Sequence, residues 1–270
     1  MNQFYVITNE KKDKSLEITY RIKQYVVEQG KKCVLATESP EIPEETECIL
    51  VLGGDGTLIR AARELHSKDI PLLGINMGTL GYLAEAEVGN LEECLHQLIY
   101  GETHVEERMM IKGTVNGEQE DLALNDIVLT RSGALRVIKF NVYVNGELLN
   151  TYHSDGIIVS TPTGSTAYNL SAGGPIVEPT AAMIVITPIC SHALNTSSIV
   201  LSAEDEIMLE VGESHHGDEE EVIISFDGEH SILLHTGDKV VIKKAEDKTE
   251  LLKLSKVSFL EILRKKMKGN

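Results

Sequence analysis

One short segment combines glycines with a single carboxylate: residues 52–57 read Leu-Gly-Gly-Asp-Gly-Thr. The segment follows an apolar run at residues 48–52 and precedes a helical pattern at residues 57–65. Glycines at a turn from strand to helix let a phosphate approach the backbone, and the helix N-terminus adds free N–H groups. Asp55 is unexpected there, because its negative charge repels phosphate. A role in binding a metal ion or in accepting a proton would explain its presence. We therefore predict a phosphate loop, formed by Gly53, Gly54, Gly56 and Thr57, with a reactive carboxylate.

A purely structural interpretation of this loop also exists. Asp is a favoured helix N-cap, so a tight turn in which Asp55 caps the next helix would need no ligand. The loop, however, follows a strand in an alternating strand–helix pattern and so lies at the carboxyl edge of the sheet. Ligands of α/β proteins bind at that edge. The position of the loop therefore favours a functional interpretation, but it does not identify the reaction.

Two further segments carry polar groups suited to binding. Residues 154–175 run from a strand into a loop dense in hydroxyls, then a short helix beginning near Ser165 and a second glycine turn. Hydroxyls and backbone amides can bind the polar groups of a dinucleotide without positive charge. A helix cap with a serine-rich turn would explain Ser165 and Thr166, but not the whole density of hydroxyls.

The pair Asn125-Asp126 interrupts an apolar strand. Taken alone, such a pair more often marks a bulge or a turn than a binding site.

The elements that must position these residues fall into two groups. Up to residue 100, short apolar runs alternate with helical patterns, which is typical of a Rossmann-like open α/β sheet. Beyond it, many short strands and the hairpin signals Asn116-Gly117 and Asn145-Gly146 predict an all-β, sandwich-like domain. We therefore predict a two-domain α+β protein. Its parts are an α/β nucleotide-binding domain at 1–100, a β-rich substrate-binding domain at 101–250, and a C-terminal helix within 251–270 that packs back on the first domain.

Charge and composition restrict the partners. The chain has 42 acidic and 25 basic residues and a net charge of -17, so we expect neither nucleic acid nor a membrane as a partner. Phosphates must then be held by backbone N–H groups, helix N-termini, a few cations and metal ions. No apolar run reaches the roughly 18 residues that span a bilayer, and the N-terminus is not typical of a signal peptide, so we expect a cytoplasmic protein. Four scattered cysteines predict neither a disulfide framework nor a zinc site.

In these segments the chain resembles the NAD kinase family. Residues 53–57 match its glycine–aspartate signature, Asn125-Asp126 match its Asn-Glu/Asp pair, and residues 154–175 match its longest block. Phosphofructokinases and the diacylglycerol and sphingosine kinases share the first signature, whereas the long block is specific to the family. The resemblance implies transfer of the γ-phosphate of ATP to the 2′-hydroxyl of the adenosine ribose of NAD, giving NADP. It also implies Mg²⁺ as cofactor and a homodimer or homotetramer.

The same resemblance implies roles for individual residues. Asp55 would accept the proton of the 2′-hydroxyl, with Gly56 beside it. Asn125 and Asp126 would hold the nicotinamide-side ribose, and Asp155 would contact the nicotinamide amide. The other predicted substrate contacts are Thr166, Ala167, Tyr168, Asn169, Leu170 and Ser171 around the adenosine, Arg60 and Arg136 as phosphate cations, and His153, Cys190 and Glu229. No protein metal ligand is assigned, since the ATP phosphates would carry most of the Mg²⁺ coordination.

Departures from the family pattern concern affinity and nucleotide preference. His153 stands where the family often has Arg, and Glu229 stands where Gln is common. A contact from His153 to phosphate would be weaker than one from Arg, or dependent on pH.

Two alternatives are weighed against this hypothesis. A lipid or sugar-phosphate kinase could share the glycine loop, but a lipid kinase needs an apolar acceptor cleft or a membrane-facing surface. The acidic charge and the hydroxyl-rich loop suit a polar dinucleotide better. A non-catalytic NAD(P)-binding sensor should have lost Asp55 or its glycines, and both are present. The sequence leaves open whether ATP, another nucleoside triphosphate or polyphosphate is the donor, and whether NADH is accepted.

Overall fold

The computed structural model describes residues 1–78, 81–133, 137–193, 197–213, 219–254 and 257–267. The helices are α1 (Glu17–Glu28), α2 (Asp55–Glu64), α3 (Leu91–Tyr100), α4 (Tyr168–Ser171) and α5 (Phe259–Met267). The strands are β1 (Gln3–Thr8), β2 (Lys32–Leu35), β3 (Cys48–Gly53), β4 (Leu72–Asn76), β5 (Ala86–Glu87), β6 (His104–Val115), β7 (Gln119–Ala123), β8 (Asp126–Arg131), β9 (Ile138–Val144), β10 (Glu147–Ser154), β11 (Gly156–Ser160), β12 (Met183–Ile189), β13 (Ile199–Ser202), β14 (Ile207–Val211), β15 (Glu221–Phe226), β16 (His230–His235) and β17 (Lys239–Lys253). Within these residues no helix is long and apolar enough to cross a bilayer.

The chain separates into two compact units. The first contains residues 1–108 together with 249–270, and the second contains residues 109–248. The domain limits that we expect from sequence, near residues 100 and 250, stay predictions.

A parallel sheet forms the centre of the first unit. Its strands lie in the order β2-β1-β3-β4, and each of these neighbouring pairs is parallel. Strand β3 is buried along its whole length, as expected for a strand covered on both faces. The direction of winding reverses between β1 and β3, because β2 lies on one side of β1 and the later strands lie on the other. Doubly wound sheets bind their ligands beyond the carboxyl ends of the strands at such a switch point.

The helices of the first unit pack apolar faces on this sheet. Helix α1 buries Ile22 and Val26, four residues apart, and α3 adds Leu91 and Leu95 to the same core. Helix α1 begins at Glu17, and the carboxylate of Asp13 in the turn before it accepts the N–H groups of Ile18 and Thr19.

Two antiparallel sheets form the second unit. One has the strand order β13-β12-β11-β8-β15-β16, and the other contains β10-β9-β14-β17. Apolar residues of both sheets share one core, which includes Phe140, Ile157, Ile207 and Phe226. The predicted sandwich-like β domain is therefore confirmed.

Tight turns of two or three residues connect several of these strands as hairpins. Asn116-Gly117 joins β6 to β7 and Asn145-Gly146 joins β9 to β10, and all four residues have positive φ. Both predicted hairpins are confirmed, because this backbone is the one that Asn-Gly favours. A third turn, Asp227-Gly228, has φ of 52° and 73° and joins β15 to β16. The sequence pattern did not predict this hairpin.

Candidate active site

The glycine loop connects β3 to α2 at the switch point of the parallel sheet. A Cβ on Gly53 would overlap the side chain of Thr57, so the strand can turn into the helix here only without one. Gly54 is the N-cap residue, and no side chain caps the helix. The N–H of Thr57 donates to the carbonyl oxygen of Gly54 at 2.9 Å, so within the described part of the chain the N–H groups of Asp55 and Gly56 are left for water or an anion. Gly56 is exposed, with open space where a side chain would be.

Asp55 is the first residue of α2, but its side chain bonds to another segment of the first unit. One carboxylate oxygen accepts the N–H of Tyr82 at 2.7 Å, and the other accepts the N–H of Leu83 at 3.3 Å. The capping interpretation is therefore not supported. These two donors also compensate for a negative charge beside a phosphate loop. A carboxylate has about four lone-pair positions, so it can still accept a hydroxyl proton.

Gly81 makes this arrangement possible. A Cβ at Gly81 would overlap the carboxylate of Asp55, so the two residues can lie in contact only because position 81 has no side chain. The carboxylate is half-buried and fixed between its own helix and the segment that leads into β5. An orientation held in this way suits a group that must meet one particular hydroxyl.

Neither predicted phosphate cation has a described contact with the loop. Arg60 lies on the exposed face of α2, where its Nε is 3.8 Å from the carboxylate of Glu64 one turn further along. Arg136 lies outside the described residues. Their contacts with phosphate stay predictions.

In the second unit, the pair Asn125-Asp126 is held by a carboxylate that sequence reasoning missed. Asp227 accepts the backbone N–H groups of Leu124 at 2.8 Å, Asn125 at 2.7 Å and Asp126 at 3.1 Å. Its own N–H donates to the carbonyl oxygen of Asp126 at 3.0 Å. The signal that could have found this residue is the Asp-Gly pair at 227–228, which is a strong hairpin signal.

The side chain of Asp126 is buried and 5% exposed. Burial, followed by the negative charge of Asp227, raises the pKa of the Asp126 carboxyl to about 7. Asp126 therefore changes charge near neutral pH. In its protonated form it can donate a hydrogen bond as well as accept one.

The hydroxyl-rich segment is bonded to the same pair. Thr161, just beyond β11, donates its hydroxyl to the carbonyl oxygen of Leu124 at 2.6 Å and its N–H to that of Asn125 at 2.8 Å. A Cβ on Gly164 would overlap the backbone of Asn125. The second unit thus brings together the two motifs through residues that lie 37 positions apart in sequence.

The predicted adenosine residues differ in exposure. Asn169 is fully buried: its amide donates to the carbonyl oxygens of Ser165 and Pro175, and its oxygen accepts the hydroxyl of Thr187 at 2.6 Å. Its side chain therefore holds the turn together. Tyr168 and Leu170 on either side are 44% and 39% exposed, and Ser171 is exposed as well. Thr166 and Ala167 are half-buried.

The remaining predicted residues lie at strand ends and turns of the second unit. Asp155, between β10 and β11, lies 3.4 Å from the Nε of Arg131, a pairing that the sequence did not predict. His153 lies on β10 and is half-buried, and Cys190 is exposed after β12 with a φ of 47°. Glu229 is exposed in the turn before β16. In the described part of the chain no group of three or more His, Cys, Asp or Glu is suited to hold a metal ion.

A doubly wound sheet with a glycine loop and an oriented carboxylate at its switch point defines the class of this protein as a phosphate-transferring enzyme. Comparison with known proteins gives the family. The family model described as the ATP-NAD kinase N-terminal domain matches residues 4–103, and that described as the ATP-NAD kinase C-terminal domain matches residues 124–254. The chain belongs to the NAD kinase family.

Similar proteins agree with this assignment over their full length. The NAD kinase of Lachnospira eligens is 45% identical over 99% of this chain and 100% of its own, and that of Agathobacter rectalis is 46% identical over 100% and 99%. Among solved structures, an NAD kinase from Archaeoglobus fulgidus in complex with ATP has a TM-score of 0.80 and 26% identity, covering 98% of each chain. Yeast NADH kinase complexed with NADH has a TM-score of 0.84 at 22% identity, covering 100% of this chain and 88% of its own, and supports the fold alone.

Proposed function

We propose that this chain transfers the γ-phosphate of ATP to the 2′-hydroxyl of the adenosine ribose of NAD, giving NADP and ADP. The observation that carries the proposal is the carboxylate of Asp55, held by the N–H groups of Tyr82 and Leu83 beside a glycine loop at the switch point. Family membership supports the reaction, and the ATP complex of the Archaeoglobus relative supports the donor.

Asp55 is the proposed acceptor of the hydroxyl proton. A ribose hydroxyl is a poor nucleophile and a carboxylate is a weak base, but phosphoryl transfer has a loose transition state in which bond formation lags. The ribose oxygen bonds to the γ-phosphorus as the bond from phosphorus to the β–γ bridging oxygen breaks, and ADP leaves with that electron pair. The hydroxyl proton passes to Asp55 late in the step. Asp55 therefore needs a fixed orientation more than strong basicity.

The glycine loop is the proposed site of the donor phosphates. N–H groups at the start of α2, together with its helix dipole, would stabilise the charge that moves onto ADP. We propose that Mg²⁺ enters as MgATP, coordinated mainly by phosphate oxygens. Such a complex needs few protein ligands.

The second unit supplies the proposed contacts to NAD. Asn125 and Asp126 would hold the nicotinamide-side ribose, and Asp155 would contact the nicotinamide amide. Tyr168 and Leu170 leave large apolar surfaces in water, which suits contact with a flat base such as adenine. Exposed Ser171 can donate a hydroxyl at the edge of the same surface.

An acceptor panel tests this function. The purified chain is given MgATP with NAD, NADH, fructose 6-phosphate or diacylglycerol, and the position of any new phosphate is determined by NMR. We expect a 2′-phosphate on NAD. Phosphorylation of the sugar or the lipid, or none at all, would contradict the proposal. A second panel of nucleoside triphosphates and polyphosphate identifies the preferred donor.

We further propose a homodimer or homotetramer, as the family resemblance implies, and a location in the cytoplasm. Light scattering of the purified chain gives the oligomeric state, and fractionation of the producing cells gives the location.

A further inference from the structure

The loop after β1 is the second loop beside the switch point. The order β2-β1-β3-β4 reverses between β1 and β3, so the crevice beyond their carboxyl ends is bordered by the loops that follow these two strands. The glycine loop follows β3, and residues 9–13 follow β1. A ligand bound on the glycine loop therefore lies beside residues 9–13.

Hydrogen bonds hold this loop in place at both ends. Asn9 donates its backbone N–H to the carbonyl oxygen of Leu52 at 2.8 Å and its side-chain amide to the hydroxyl of Thr57 at 3.0 Å. The N–H of Lys12 donates to the carbonyl oxygen of Asn9 at 2.9 Å. Asp13 is buried and accepts both the N–H and the hydroxyl of Thr19. The backbone at Lys12 is thus positioned before any ligand binds.

The ammonium group of Lys12 lies over the glycine loop. Its Nζ is 3.0 Å from the position that a Cβ on Gly54 would occupy, and 3.8 Å from the equivalent position on Gly78. Gly54 is the N-cap of α2, so this cation lies at the positive end of a helix dipole, where positive charge is unfavourable. In the part of the chain that the structure describes, Lys12 has no hydrogen-bond or ion-pair partner for its side chain. An anion at the loop would satisfy both the ammonium and the helix N-terminus.

We propose that Lys12 binds the phosphates of the donor nucleotide at the glycine loop, an inference that rests on the proposed function. The ammonium donates charge-assisted hydrogen bonds to phosphate oxygens that approach the backbone of Gly54. The side chains of Lys12 and Arg60 are both exposed, but the Nε of Arg60 lies 3.8 Å from the carboxylate of Glu64. In a chain with a net charge of -17, one well-placed cation beside the loop has a large share in attracting a polyphosphate.

Two neighbouring lysines provide matched controls. Lys11 and Lys14 are exposed on the same stretch of chain as Lys12 and carry the same charge. We compare Lys12→Ala and Lys12→Arg with Lys11→Ala and Lys14→Ala, measuring the KM for MgATP and the KM for NAD separately. Calorimetric titration of MgATP into each variant without NAD gives donor affinity independently of turnover. Thermal unfolding confirms that each variant is folded.

We expect Lys12→Ala to weaken MgATP binding by about 10-fold to 100-fold, the usual effect of losing a hydrogen bond to a charged group, while the KM for NAD changes less than two-fold. Lys12→Arg should recover part of the loss, and both control variants should stay within about two-fold. An unchanged MgATP affinity in Lys12→Ala, or an equal loss in Lys14→Ala, would overturn the inference. If the unmodified chain makes no NADP, the proposed function fails, but the titration with MgATP still decides the role of Lys12.

Discussion

Asp126 gives a prediction whose size follows from the structure. Asp126→Asn keeps the shape of the side chain and the backbone N–H that Asp227 accepts, but it removes the ionisable group. Burial raises the pKa of this carboxyl from 3.8 to about 7. Below about pH 4 the carboxyl is protonated in both the folded and the unfolded chain, so it does not change the free energy of unfolding through ionisation.

The destabilising effect of Asp126 appears as the pH rises. Between about pH 4 and about pH 7 the unfolded chain releases the proton while the folded chain retains it, so this group lowers the stability of the fold by about 1.4 kcal/mol per pH unit. Above the pKa that Asp126 has in the folded chain, this loss of stability no longer changes with pH. The free energy of unfolding of Asp126→Asn, relative to the unmodified chain, should therefore rise by about 3 kcal/mol from about pH 5 to about pH 8.

Urea unfolding at these two pH values measures the difference. Glu147→Gln, which removes an exposed carboxylate from the same unit, is the control and should show the same relative stability at both. A relative stability of Asp126→Asn that is independent of pH, or that falls towards pH 8, would refute the argument that burial raises this pKa.

The remaining predictions concern positioning residues. Gly81→Ala should lower kcat about 10-fold or more, because the new Cβ displaces the Asp55 carboxylate, while Gly89→Ala, where nothing lies within 4 Å, should leave kcat unchanged. Steady-state kinetics of both variants check this, and equal kcat values would contradict it. Asp227→Ala should destabilise the fold by about 2–4 kcal/mol, since it leaves three N–H groups without an acceptor, and should raise the KM for NAD more than that for MgATP. Urea unfolding with separate KM values tests this, and equal changes in the two KM values would count against it.

Local sequence signals predicted much of the site. The run of buried residues in β3, the glycines after it and the helical pattern of α2 are contiguous, so their strand–loop–helix arrangement follows from neighbouring residues alone. The Asn-Gly hairpins were predictable for the same reason, since the turn needs positive φ at two adjacent positions.

Contacts between distant residues were not predictable. Asp227 bonds to residues 101 to 103 positions away, and Asp55 to residues 27 and 28 positions away. Lys12 is one of several lysines in a charged stretch, and only the strand order shows that this stretch borders the glycine loop. No periodicity or motif encodes such pairings, so they required the structure.

The central claim is that Asp55 acts on the hydroxyl during transfer and does not merely help to bind NAD. The most direct measurement compares NADP formation by Asp55→Asn and the unmodified chain, with NAD affinity determined by calorimetry; Asp69→Asn, at an exposed turn, serves as the control. We predict a loss of turnover of about 100-fold or more in Asp55→Asn, with NAD affinity within two-fold of the unmodified chain. Turnover close to normal in Asp55→Asn would contradict the account.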